Sequence, residues 1–234
     1  PPADARMLSI PAGVLQVGIA SACWAALAMA WRHPGIARLN QLELPLARWF
    51  NRCLGHSRAF DQLIIFLNHK PGEALCAALC AAAFLIAARR MTALSWRRIG
   101  LFGLGIFVIW LAAHGIADAL ESTVRRGSPA ISLGADHIDL RDIYGVRVKT
   151  SSTHSFPSNH GTVFFVLLFA CAYALGRRVW WMLPFAVALS LPRVFAGSHW
   201  PSDTLIGSVL IAWPVTALAA MAMPRLAGKQ TGAP

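Results

Sequence analysis

The chain has 234 residues, 56% of them hydrophobic and only 13% charged, with a mean hydropathy of +0.54. A soluble domain carries about 25% charged residues, so this composition excludes an ordinary water-soluble globule and predicts a single-domain, all-α integral membrane protein over residues 1–234. The formal charge of +11 suits anionic headgroups and positive-inside loops. Its Lys and Arg are scattered between apolar runs rather than gathered on one face, which excludes nucleic acid as a partner.

A bilayer core needs about 20 apolar residues per helix. On that length the chain offers six transmembrane helices, at 8–31, 72–88, 99–120, 161–176, 179–197 and 204–223. The first follows Arg6 and contains Ala28-Met29-Ala30, which looks like a signal cleavage site. Its apolar run exceeds the roughly 7–15 residues of a signal core, so it reads as a membrane helix. Between the first two spans, residues 32–71 carry Ile36, Leu39, Leu42, Leu46, Trp49, Phe50 and Leu54 at steps of about three and four, with Arg38, Arg48 and Arg52 between them. That pattern predicts an amphipathic interfacial segment lying on the membrane surface. A second short apolar piece, 60–67, precedes the break His69-Lys70-Pro71-Gly72. Small residues such as Ala77, Ala78, Ala81 and Gly103 favour close helix packing in lipid. The cysteines Cys23, Cys53, Cys76, Cys80 and Cys171 show neither a disulfide framework nor a metal-ligand spacing.

Orientation follows from the short loops. Arg89-Arg90 with Arg97-Arg98, and Arg177-Arg178, are compact basic turns and read as cytoplasmic. Both termini then fall on the cytoplasmic side, while loop 121–160 and the turn 193–203 face outward. Arg125, Arg126, Arg141, Arg147 and Lys149 run against the charge rule in that outer loop.

Two polar stretches close the apolar runs of the second half: Ser155-Phe156-Pro157-Ser158-Asn159-His160-Gly161, and Arg193 through His199 to Asp203. The intervening helices are roughly 24 and 28 Å long at 1.5 Å per residue, so an antiparallel pair returns His199 to the level of His160. Pro157 suits a first helical turn that Ser155 could cap, and free N–H groups at Ser158–Gly161 would form an anion site, with Asn159 adding donors. His199 and Asp203 are spaced i,i+4, so an aspartate could fix the imidazole tautomer. Arg193 offers a fork for phosphate oxygens. His114 and Asp118 are also i,i+4, inside the third span, where a satisfied hydrogen bond explains them. A small transporter would instead show repeats or broken helices with midplane polar groups. A degenerate binding protein is the other non-enzyme reading.

P-S-x-H followed about forty residues later by R-x5-H-x3-D resembles the type 2 phosphatidic acid phosphatase superfamily of integral-membrane lipid phosphatases. The resemblance implies that His199 is a nucleophile forming a phosphohistidine, that Asp203 orients it and that His160 protonates the leaving group. It further implies that Ser158, Gly161 and Arg193 hold the phosphate, and that neither a metal nor a cofactor is needed. The family's first motif, K-x6-R-P, is altered: Glu121 stands where its lysine falls and Ser128 precedes Pro129, leaving Arg125, Arg126 and Lys149 as phosphate-binding candidates. Asn159 replaces the usual glycine of P-S-G-H. The run Val124-Arg125-Arg126-Gly127-Ser128-Pro129, Lys149 before Ser155, and Pro192-Arg193-Val194 look like the branch that forms lipid A 1-diphosphate. That branch moves phosphate from undecaprenyl diphosphate to lipid A on the periplasmic face of the bacterial inner membrane. A plain phosphatase acting on undecaprenyl diphosphate or a phosphatidate-type lipid shares the first half-reaction and stays equally open.

Overall fold

The computed structural model describes residues 33–92, 95–146 and 148–222, together with six helical positions between Gly18 and Ala25. Most of the predicted first span and both termini therefore lie outside the described residues. Every regular element among those described is helical.

Helix α1 (His33–Arg52) is the predicted amphipathic segment. It buries Ala47 and the polar Asn51, and leaves Leu42 (78%) and Trp49 (59%) exposed. Helix α2 (Arg58–Asn68) starts at Ser57, whose side chain accepts from Phe60 N, and packs Ile64 and Ile65 with Leu54 and Leu140. The expected break at 69–72 is instead the start of α3 (Lys70–Thr92), because Pro71 and Gly72 occupy its first turn, where a missing N–H costs nothing.

Helix α4 (Trp96–Thr123) and the helical run Asp203–Ala220 are long and apolar enough to cross a membrane. In α4, Leu101, Leu104, Phe107, Val108 and Leu111 are all exposed, the arrangement expected where lipid replaces water. After the short helices α5 (Pro129–Leu133) and α6 (Leu140–Tyr144) comes α7 (Asn159–Leu175), an apolar helix with Phe164 to Cys171 buried along its whole circumference. It is the central post of the bundle, packed against α4 and against α10 (Ser208–Ala222) through Ile109, Ala113, Ile211 and Ala212.

The span predicted at 179–197 is not one continuous helix. The chain runs as a 3-10 helix (Gly176–Met182), then α8 (Leu183–Ser190), a turn at Leu191, and the four-residue α9 (Pro192–Phe195). Pro184 and Pro192 each sit in a helical first turn. Pro192 cannot donate to the preceding turn, so the helix must restart there. Helix α10 is likewise preceded by a π-helical turn, Asp203–Gly207.

Close approach at this end depends on glycine. A Cβ on Gly161 would lie 2.4 Å from Ser208 Oγ and 2.8 Å from the Thr204 carbonyl, so the heads of α7 and α10 meet only because the side chain is absent. The starts of α3, α7 and the π turn thus gather with the ends of α4 and α8, as the antiparallel reading expects.

Candidate active site

His199 is 4% exposed and lies in the turn after α9. The turn is closed by Ser198 N donating to the Arg193 carbonyl at 3.0 Å and by Gly197 at φ 75°, a left-handed conformation that suits glycine. His199 Nδ1 is 2.5 Å from the Ser155 carbonyl oxygen. A carbonyl only accepts, so Nδ1 carries the hydrogen and the Nε2 lone pair is left free. Burial holds the His199 imidazole well below the ordinary histidine range, and the charges of Arg193, Lys149 and His160 push the same way against the opposing Ser155 hydrogen bond. This ring is held neutral with Nε2 unprotonated, and positive groups lie around it.

The expected contact between His199 and Asp203 is replaced by another network. Asp203 Oδ1 accepts from Arg126 Nη1, and Oδ2 accepts from the Trp200 backbone N–H at 2.9 Å. Arg126 is 1% exposed and fully committed. It donates to Asn40 Oδ1 at 2.9 Å, Ser202 Oγ at 2.8 Å and Glu43 Oε2 at 2.6 Å, and it lies over the Trp200 ring. Glu43 also accepts from Ser202 N and Oγ. Asp203 therefore holds the 199–203 turn from behind, with the carbonyl of Ser155 orienting the histidine.

His160 is 3% exposed. Its Nε2 meets the Leu189 carbonyl at 2.8 Å, and its Nδ1 is 3.2 Å from Glu73 Oε2. Arg193 Nη2 is 3.7 Å from the same carboxylate oxygen, so α3, α7 and α9 each send one charged or titratable group to a single point.

The remaining sequence candidates separate. Ser158, not Ser155, caps α7: its hydroxyl accepts from Gly161 N at 3.3 Å, and its own N–H donates to the Asp203 carbonyl. Those two groups, expected to face phosphate, are thus used in capping and packing. Asn159 donates to Asp118 at 2.6 Å and Glu121 at 3.3 Å. Lys149 pairs with Glu121 at 3.2 Å and is half-exposed. Arg125 points outward on the surface, away from its buried neighbour Arg126. Of the three first-motif candidates, Lys149 is the one whose charge reaches His199. Sequence reasoning missed Glu73 and Glu43. The available signal for Glu73 was an acid in the first turn of an apolar helix, a position where ionisable residues often mark function.

A cleft of about 840 Å³ runs down from this point between α3, α4 and α7. Glu73, Lys70 and His114 stand at its polar end, and Ala77, Ala78, Ala81 and Gly103 are among the residues of its apolar wall. The small residues expected to bring helices together instead leave room between them.

Residues 135–227 match the PAP2 superfamily. The chain is 26% identical over 172 residues to the lipid A 1-diphosphate synthase of Escherichia coli, a match covering 73% of this chain and 71% of that protein. It is 36% identical over 110 residues to the decaprenylphosphoryl-5-phosphoribose phosphatase of Mycobacterium tuberculosis, covering 46% of this chain and 52% of that one. Over 56 residues it is 45% identical to the Escherichia coli protein named "Putative undecaprenyl-diphosphatase YbjG", covering 23% of this chain and 27% of the relative. No solved structure matches the chain significantly.

Proposed function

We propose that this chain, whose residues 135–227 match the PAP2 superfamily, transfers a phosphoryl group from a membrane lipid diphosphate through a phosphohistidine on His199. The observation that carries the reading is the free Nε2 of a buried, neutral His199 surrounded by Arg193, Lys149 and His160. In line, Nε2 attacks phosphorus and the bond to the leaving oxygen breaks. Arg193 and Lys149 stabilise charge on the transferring oxygens, where fixed positive groups act most strongly in a dry site. His160 supplies the leaving group's proton. Asp203, through Arg126 and the Trp200 N–H, keeps the turn bearing His199 in place.

The cleft between α3, α4 and α7 accommodates the lipid tail, since it is apolar along its length and polar where it meets Glu73 and His114. The chain crosses the bacterial inner membrane six times, with both termini cytoplasmic and the site facing the periplasm. The donor is undecaprenyl diphosphate and the acceptor lipid A 1-phosphate, a choice supported by the similarity to lipid A 1-diphosphate synthase. A second reading, release of inorganic phosphate from undecaprenyl diphosphate, is supported by the higher identity to a phosphatase over a shorter segment. The two differ only in whether water or a second lipid attacks the phosphohistidine.

The test uses purified protein in micelles containing lipid A and undecaprenyl diphosphate labelled on its terminal phosphate. Label on lipid A establishes the phosphotransferase. Label appearing only as inorganic phosphate overturns that acceptor in favour of water.

A further inference from the structure

Glu73 belongs to no motif that pointed to this site, yet it stands against two groups of the proposed chemistry. Its Oε2 is 3.2 Å from His160 Nδ1 and 3.7 Å from Arg193 Nη2. On the other side of His160, Nε2 faces the Leu189 carbonyl at 2.8 Å. Because that carbonyl only accepts, Nε2 keeps its hydrogen and Nδ1 is the nitrogen that takes up and releases a proton. Nδ1 is buried, and the Glu73 contact is at ion-pair distance without the alignment of a hydrogen bond. Glu73 also lines the polar end of the cleft beside Lys70 and Ala74, so its carboxylate links the Nδ1 side of His160 to the space where a lipid tail would sit.

We infer that Glu73 is the positioning residue of the proton-donating arm. It turns the Nδ1 side of His160 toward the mouth of the cleft and balances the imidazolium charge while the proton is held there. This rests on the phosphohistidine reading above. In the forward step the His199 Nε2–P bond forms, the bond from phosphorus to the leaving oxygen breaks, and that oxygen takes the Nδ1 proton. His160 becomes neutral while Glu73 stays a carboxylate. When an acceptor hydroxyl or water attacks, its proton returns to Nδ1, the new O–P bond forms and the N–P bond breaks.

The test compares two phosphate monoesters with the full-length protein in detergent micelles. Dodecyl phosphate has an alkoxide leaving group that must be protonated as it departs, whereas p-nitrophenyl phosphate releases a stable anion. Glu73→Gln is expected to lower kcat for dodecyl phosphate on the order of 10²-fold, the scale of general-acid catalysis, with a much smaller loss for p-nitrophenyl phosphate. Equal losses on both esters, or no loss on either, overturn the inference. Glu73→Asp keeps the charge but withdraws it by one methylene. It is expected to show the same selective loss at smaller size, and it decides the matter alone if Glu73→Gln does not fold; an unselective loss there counts against the inference. His199→Ala separates the two levels: if it retains turnover of both esters, the phosphohistidine reading fails whatever Glu73 does. A wild-type protein that turns over neither ester overturns the inference about Glu73, whereas the phosphohistidine reading stands or falls with the labelled undecaprenyl diphosphate.

Discussion

A histidine that is buried among positive charges must be neutral to fold and, as the proposed nucleophile, neutral to attack, so pH acts on His199 twice. Its pKa is held below the ordinary value of about 6.5. Between that lowered value and about 6.5, the unfolded chain binds more protons than the folded one, so stability falls as pH drops through this window and is unaffected above it. For the same reason the acid limb of kcat/KM is expected below pH 6.5, and a limb at or above 6.5 would contradict the assigned environment. Lys149→Ala removes one of the positive neighbours and should move that limb upward. Arg193→Ala and His199→Ala are expected to abolish turnover while the detergent-solubilised protein keeps its melting temperature. The two adjacent arginines part company at this scale too. Arg126→Ala leaves Asp203 fully buried without its counter-charge, a loss of about 3–5 kcal/mol. Arg125→Ala, on the surface, should stay within about 0.5 kcal/mol; thermal melts of both variants check the pair. Nothing local distinguishes these neighbours in the sequence. Arg126 is chosen by Glu43 and Asn40, more than eighty positions away, and no spacing rule reaches that far.

Elements were legible where one physical signal dominates and obscure where two compete. Length and apolarity located α3, α4, α7 and α10 in outline, and the three-and-four periodicity located α1. The run at 179–197 had the length of a single span, but Pro184 and Pro192 restart the helix, and the interrupted run brings Leu189 to His160 and Arg193 to Glu73. Likewise the P-S-x-H stretch correctly announced a helix start beside a histidine, while the identity of its cap went to Ser158 because Gly161 N lies within reach of that hydroxyl. The alanines of α3 were ambiguous in a deeper way, since a small residue permits either close packing or a void, and the neighbouring helix decides which. Here they line the cleft. Filling it provides the element-scale test: Ala78→Trp is expected to raise KM for a long-chain lipid diphosphate at least tenfold. Hydrolysis of p-nitrophenyl phosphate, which has no tail to seat, should change little. A lipid KM that stays constant would place the tail elsewhere.

At the scale of the whole molecule, the outer loop appeared to break the charge rule that oriented the chain. The structure removes part of that conflict: Arg126 is neutralised by Glu43 and Asp203, and Lys149 by Glu121. Charges paired within the protein exert little pull toward one leaflet, whereas the turns at Arg89-Arg90 and Arg97-Arg98 supply the orienting bias. In the proposed orientation the exposed apolar side of α1, with Leu42 and Trp49, lies at the level of the site, on the outer membrane surface. Single cysteines in a background lacking the five native ones test this arrangement. Asp142→Cys in α6 and Arg97→Cys at the start of α4 both replace exposed residues, at opposite ends of the bundle. In spheroplasts, a membrane-impermeant maleimide is expected to label Asp142→Cys at once and Arg97→Cys only after the membrane is opened. The reverse pattern would turn the site toward the cytoplasm, and a periplasmic lipid could then no longer be its acceptor.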